Sequence, residues 1–222
     1  SVQARARASA SFRPEGERSS AGVVKHMASP SLKIDHAAFV VTLDARRRII
    51  RDGSVLVRGR RIAAVGKAVQ MADVGADRVI DARDMVVTPG FVNAHIHLSY
   101  AHAVRGVYPD DLDASVYNAK IFELQAAMDE EDEYLTSLLA ITELLKYGTT
   151  CMLDPGTTKH LDACMRAYEE SGCRIVVGRT VLDQPTRNNL PVLSTAEAVA
   201  VTEETVARFD GRLDGRVRAW AM

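Results

Sequence analysis

The chain has 222 residues, 47% of them hydrophobic and 26% charged, with a formal net charge of −1. That balance provides ample apolar material for a core and excludes a disordered or fibrous chain. Neither a basic surplus nor an acidic tract points to nucleic acid or a membrane surface as partner, and no apolar run approaches the roughly 20 residues of a membrane span.

Residues 1–31 are rich in Ser, Ala and Arg, with Pro14, Gly16 and Gly22 breaking any period. Such a stretch buries too little to order itself, and is expected to be a disordered leader or tail. An organelle transit peptide and a cloning leader ending at His26-Met27-Ala28-Ser29 both fit it; the leader reading is preferred. Cys151, Cys164 and Cys173 are odd in number and lack C-x-x-C spacing, which predicts buried thiols in a reducing, cytoplasmic setting and no zinc–thiolate site.

From residue 32 to 85 the pattern is short strands and tight turns. Ala37–Leu43 is apolar and β-branched, Ser54–Val57 and Arg61–Val65 flank Gly59 as a hairpin, and Val79-Ile80-Asp81 and Met85-Val86-Val87 add two brief strands. The cluster Arg46-Arg47-Arg48 reads as a solvated loop.

The next stretch, Val86 to Leu98, reads as one buried strand bent at Pro89-Gly90 and ending in His-x-His. Side chains alternate along a strand, so His95 and His97 point one way and Ile96 the other. Two imidazoles on one face suit a shared metal ion, neutral imidazole being the commonest protein ligand. The apolar residues before them predict an interior strand, where unpartnered imidazoles are costly.

A long segment follows, from Ser99 to Met128. Residues 129–147 then form the clearest helix, with Asp129, Glu130, Glu131 and Asp132 at its positive end and Leu135, Leu138, Leu139, Ile141 and Leu145 as the core face. Lys146 and Gly148 close it. Strand Thr149–Asp154, a helix over about 159–171 ended by Gly172, and strand Arg174–Thr180 come next. A helix near Ala196–Phe209 opens on the capping box Ser194…Glu197, and a last strand starts at Val217. Strands alternating with helices mean βα units on a parallel sheet. Asp154 is expected to stabilise the Pro155-Gly156 turn, and Arg179 to meet either an anionic group or a structural carboxylate.

Pro89-Gly90-Phe91-Val92-Asn93-Ala94-His95-Ile96-His97-Leu98 resembles the first barrel strand of the amidohydrolase superfamily, in the branch of cytosine and guanine deaminases, adenosylhomocysteine deaminase-like enzymes and triazine hydrolases. Residues 52–66 resemble the small β-sandwich that precedes that barrel, and Val104-Arg105-Gly106 with Asp110-Asp111-Leu112 resembles a loop closing over its pocket. The resemblance implies a metal-dependent hydrolase (β/α)8 TIM barrel, present here as its N-terminal part. A complete barrel takes roughly 250 residues, whereas 86–222 holds four countable strands. The expected division is therefore a tail over 1–31, part of a β-sandwich over 32–85, and the first half of the barrel over 86–222.

The resemblance further implies one divalent ion, zinc above all, with iron, cobalt or manganese as alternatives, held by His95 and His97. Two-metal relatives bridge their ions with a carboxylated lysine at the end of strand four; residues 217–222 contain no lysine, hence one ion. The remaining ligands, and the general acid/base Glu and Asp, are expected beyond residue 222. Tyr100, His102, Tyr108 and Tyr117 are candidates for substrate contact, and Val116-Tyr117 stands where the branch often carries Trp. The implied activity is hydrolytic removal of an amine, halide or other leaving group from a heterocycle by hydroxide generated at the ion. Hydrolysis of a urea, carbamate or amide is the rival reading, and a non-catalytic half barrel completed by a partner chain the third. A small-molecule substrate and a homo-oligomer are the expected partners.

Overall fold

Pro89-Gly90 divides the stretch Val86 to Leu98 in two. The computed structural model describes residues 30–109, 111–156, 158–185 and 192–222; most of the expected tail, residues 1–29, lies outside them. The chain forms two units, one ending at Val87 and one beginning at Thr88.

The first unit is a sheet built on β1 (Ser31–Val41). β2 (Ile49–Arg58) pairs antiparallel with β1, and β3 (Arg61–Lys67) antiparallel with β2. On the other side of β1, β4 (Arg78–Asp81) and β5 (Val86–Val87) both run parallel to it. The hairpin turns at Gly59, whose φ of 56° suits glycine, and its strands are longer than the β-branched runs indicate. Between Ile34 and Ala37 the register slips; there His36 and Asp52 both take positive φ, and His36 Nδ1 lies 2.8 Å from Asp52 Oδ1. Ala37, Val40, Val55 and Ala82 form the core of this unit. Arg46–Arg48 is an exposed turn in which Arg48 pairs with Asp44 at 2.7 Å.

The second unit carries a four-stranded sheet in the order β6 (Phe91–Asn93), β7 (Thr149–Asp154), β8 (Arg174–Val177), β9 (Val217–Ala219), every pairing parallel. Between β6 and β7 come α1 (Leu98–Ala101), α2 (Ala114–Ala127) and α3 (Glu130–Lys146); α4 (Leu161–Ser171) links β7 to β8, and α5 (Thr195–Phe209) links β8 to β9. These are the βα units that the alternation of patterns predicts. Met152, Ile175, Val177, Val217 and Ala219 from the strands pack against Cys164, Ala167 and Tyr168 of α4, Ile141 of α3 and Phe209 of α5.

Two expectations change. The single strand over Val86–Leu98 is two, because Val86–Val87 pairs in the first sheet and Phe91–Asn93 in the second. Gly90 permits the passage between them: a Cβ there would stand 2.1 Å from Thr150 Oγ1. Among the described residues β6 stands at one end of the sheet order, paired with β7. Within Ser99–Met128 the structure forms α2, opened by Asp113, whose side chain accepts from Ser115 N–H. Its apolar residues lie all round the helix, so no 3.6-residue stripe announces it.

The core face of α3 also differs. Ile141 is buried as expected, but its fully buried companions are Glu133, Ser137 and Ala140, while Leu135 and Leu139 are more than half exposed. Small residues face α4 because Cys164 of that helix lies 3.3 Å from Ser137 Oγ.

Candidate metal centre

Beyond Asn93 the chain stays paired with β7, since Ile96 N–H donates to Leu153 O at 3.0 Å. Extended backbone carried past the strand end places His95 and His97 on one side, as alternation requires. Their Nε2 atoms stand 3.2 Å apart, with ring centroids 5.0 Å apart and ring planes at 88°. His95 N–H donates to Asn93 Oδ1 at 3.1 Å. The His97 ring stacks on Tyr100, centroids 5.2 Å apart and planes 19° from parallel, and Tyr100 is buried. Partial burial, reinforced by the neighbouring His95, lowers the His97 pKa and favours neutral imidazole, the form that binds metal.

Two imidazole nitrogens at about 2.0–2.1 Å from one tetrahedral ion stand roughly 3.3 Å apart. The separation of 3.2 Å matches that bite. At this spacing two neutral rings satisfy each other only if one donates, whereas a cation satisfies both. The pair therefore fits a divalent ion. Among the described residues no third His, Cys, Asp or Glu joins them in a cluster able to hold one.

Behind the pair lies Asp154, 1% exposed at the end of β7. Its Oδ1 accepts from Gly156 N–H at 3.0 Å, as the turn reading predicts. Its Oδ2 accepts from Leu98 N–H at 3.1 Å, a contact 56 residues away in sequence. Gly156 has φ of 88°, and a Cβ there would meet Gly178 O at 2.1 Å, so the ends of β7 and β8 close up only over glycine.

Burial raises the Asp154 carboxyl to about 6 against an ordinary 3.8, its two backbone hydrogen bonds only partly offsetting that rise. A carboxyl pKa raised by folding means the native state binds more protons, so this group's contribution to stability falls as pH climbs from about 4 to 7. The difference in proton affinity corresponds to about 2–3 kcal/mol. In chelator-treated protein, the stability of wild type minus that of Asp154→Asn should fall by that amount between pH 4 and 7, measured by urea denaturation; a difference independent of pH would contradict it.

The other predicted residues divide. Tyr100 joins the histidines. The His102 side chain turns instead to α3: its Nε2 lies 2.6 Å from Glu143 Oε2, while its Nδ1 is buried with no hydrogen-bond partner among the described residues. Arg105 holds the same carboxyl at 2.8 Å, and Arg105, with His102, lowers the Glu143 pKa. Tyr108 and Tyr117 meet edge to face, centroids 6.5 Å apart, in an apolar cluster with Val104, Ile121 and Met128. Arg179, exposed just after β8, lines an open pocket of 430 Å³ with Phe122, Lys159, Val181 and Leu182.

Sequence reasoning missed Glu133, which is fully buried. Its carboxyl accepts from Lys159 N–H at 3.1 Å and His160 N–H at 2.8 Å, ahead of α4. The only signal was its place in an acidic run, where it looked like one more charge at a helix start.

The chain resembles known proteins in sequence and in structure. It is 32% identical over 183 residues to the 5-methylthioadenosine/S-adenosylhomocysteine deaminase of Desulforamulus reducens, covering 81% of this chain and 40% of that protein. Its structure superposes on an adenosine deaminase from Xanthomonas campestris with bound zinc, at a TM-score of 0.67 and 27% identity, over 86% of this chain and 42% of that one. It also superposes on a mutant atrazine chlorohydrolase from Arthrobacter aurescens TC1 complexed with zinc and atraton, at a TM-score of 0.70 and 22% identity, over 85% and 45%. The chain thus spans less than half the length of the relatives it matches. The amidohydrolase family model covers residues 86–222, from the residues just before the histidine pair to β9 and beyond. Sequence match, fold and paired imidazoles agree, and the chain belongs to the amidohydrolase family.

Proposed function

We propose that this chain carries the first two metal ligands of a metal-dependent hydrolase that removes the amino group of an adenine nucleoside or a related heterocycle. The observation that supports this most is the convergence of His95 and His97 Nε2 at the bite of a single ion. The reading also takes 86–222 as part of a (β/α)8 barrel and the first unit as part of a β-sandwich, with zinc as the ion, in line with the zinc-bound adenosine deaminase it resembles.

When bound, a divalent ion supplies Lewis-acid activation of water near neutral pH. The protein's part is positional. His95 and His97 hold the ion, Asn93 fixes the His95 backbone, and the Tyr100 ring sets the plane of His97. The net reaction consumes one water, replaces the exocyclic C–NH2 bond on the ring by C=O with a proton on the adjacent ring nitrogen, and releases ammonia. In a parallel βα sheet the ligands lie at the carboxyl ends of the strands, where reactive groups gather in barrels.

The test is turnover by the complete zinc-loaded protein on 5-methylthioadenosine, S-adenosylhomocysteine and adenosine, followed by ammonia release. Chlorinated triazines, ureas and carbamates serve as comparison. Deamination of at least one adenine nucleoside, faster than any other hydrolysis, is expected. Cleavage of ureas or carbamates with no deamination would contradict it.

A further inference from the structure

We infer that Asp154 is a positioning residue for the metal-ligand pair, acting through the backbone amide of Leu98 that follows His97; the inference rests on the metal reading above. His97 sits where β6 has ended and α1 begins, with φ −98° and ψ 96°, so no regular element fixes it. The amides that bracket it are both held from the end of β7. Ile96 N–H donates to the backbone carbonyl of Leu153, and Leu98 N–H to the side chain of Asp154. In a parallel ladder the next bond would come from a backbone carbonyl, but β7 turns away into Pro155-Gly156. The Asp154 carboxyl takes the place of that missing rung, and its other oxygen secures the turn through Gly156 N–H. Leu98 itself is fully buried, which leaves this segment little room to relax.

Two facts make the carboxyl specific for this task. Both of its oxygens accept from backbone N–H groups, a pattern that asparagine cannot copy, because its amide nitrogen would face one of the donors. The contacts are made by a side chain that is 1% exposed, so solvent does not substitute for them. Losing the Leu98 bond frees the backbone on one side of His97, and the 3.2 Å bite between the two Nε2 atoms then widens or fluctuates. Partners behind metal ligands typically change metal affinity by about 10–100-fold when removed.

The experiment uses the complete protein, stripped of metal and titrated with cobalt(II), whose visible ligand-field bands report geometry. Asp154→Asn and Asp154→Ser are compared with wild type and with Val177→Ala, a buried change on β8 that controls for general loss of stability. Cobalt affinity should fall at least tenfold in the folded Asp154 variants, with altered band intensity, and stay at the wild-type value in Val177→Ala. Wild-type affinity and spectrum in either folded Asp154 variant would overturn the inference while leaving the metal reading standing. A wild-type protein that takes up no cobalt would overturn both.

Discussion

Alanine at His95 or at His97 is expected to abolish metal-dependent turnover of the complete protein, by about three orders of magnitude or more, with little change in fold. The reasoning is geometric. On the proposed reading the two Nε2 atoms supply one chelating bite, and removing either imidazole breaks that chelate and weakens the hold on a divalent ion. Neither ring belongs to the packed cluster formed by Leu98, Met152, Ile175 and their neighbours. His95 is exposed and His97 half-buried, so truncation leaves no large cavity in the sheet. Steady-state kinetics with zinc content measured on the same samples, beside far-ultraviolet circular dichroism, is the check. Full activity in a His95→Ala, His97→Ala double variant would contradict the assignment, and unfolding of either single variant would move the histidines into the structural core.

Glu133→Ala is expected to be among the most destabilising single changes in the chain. The fully buried carboxyl accepts two backbone N–H groups, of Lys159 and His160, from the segment that leads into α4. Truncation strands both donors away from water at about 1–3 kcal/mol each, so a loss of about 2–5 kcal/mol follows. The neighbouring Glu131 provides the contrast. It pairs with Arg166 at 3.3 Å with both side chains more than half exposed, and Glu131→Ala should cost no more than about 1 kcal/mol. Urea midpoints of the two variants measure the difference. Equal midpoints would show that the buried carboxyl is not what holds the start of α4.

How much of this was legible beforehand depended on whether a signal was local. The capping box at Ser194 was readable because donor and acceptor lie three residues apart, and it forms in the structure. The left-handed Gly172 ends α4 as its position announced. That His95 and His97 share one side was readable from a two-residue period, whereas their reading as metal ligands came from the resemblance of residues 89–98. By contrast, Glu133 and the Leu98 contact of Asp154 act across 26 to 56 residues, and nothing near them in sequence names the amides they meet. Part of the buried side of α3 escaped: Leu138, Ile141 and Leu145 pack on the core as the pattern indicates, but close approach to Cys164 puts Ser137 and Ala140 inward while Leu135 and Leu139 face out.

The most direct measurement is an anomalous diffraction map at the zinc edge from crystals of the complete zinc-loaded protein. One peak is predicted, about 2.0–2.1 Å from Nε2 of both His95 and His97. A zinc peak elsewhere, with these two imidazoles bonded only to each other, would contradict the account.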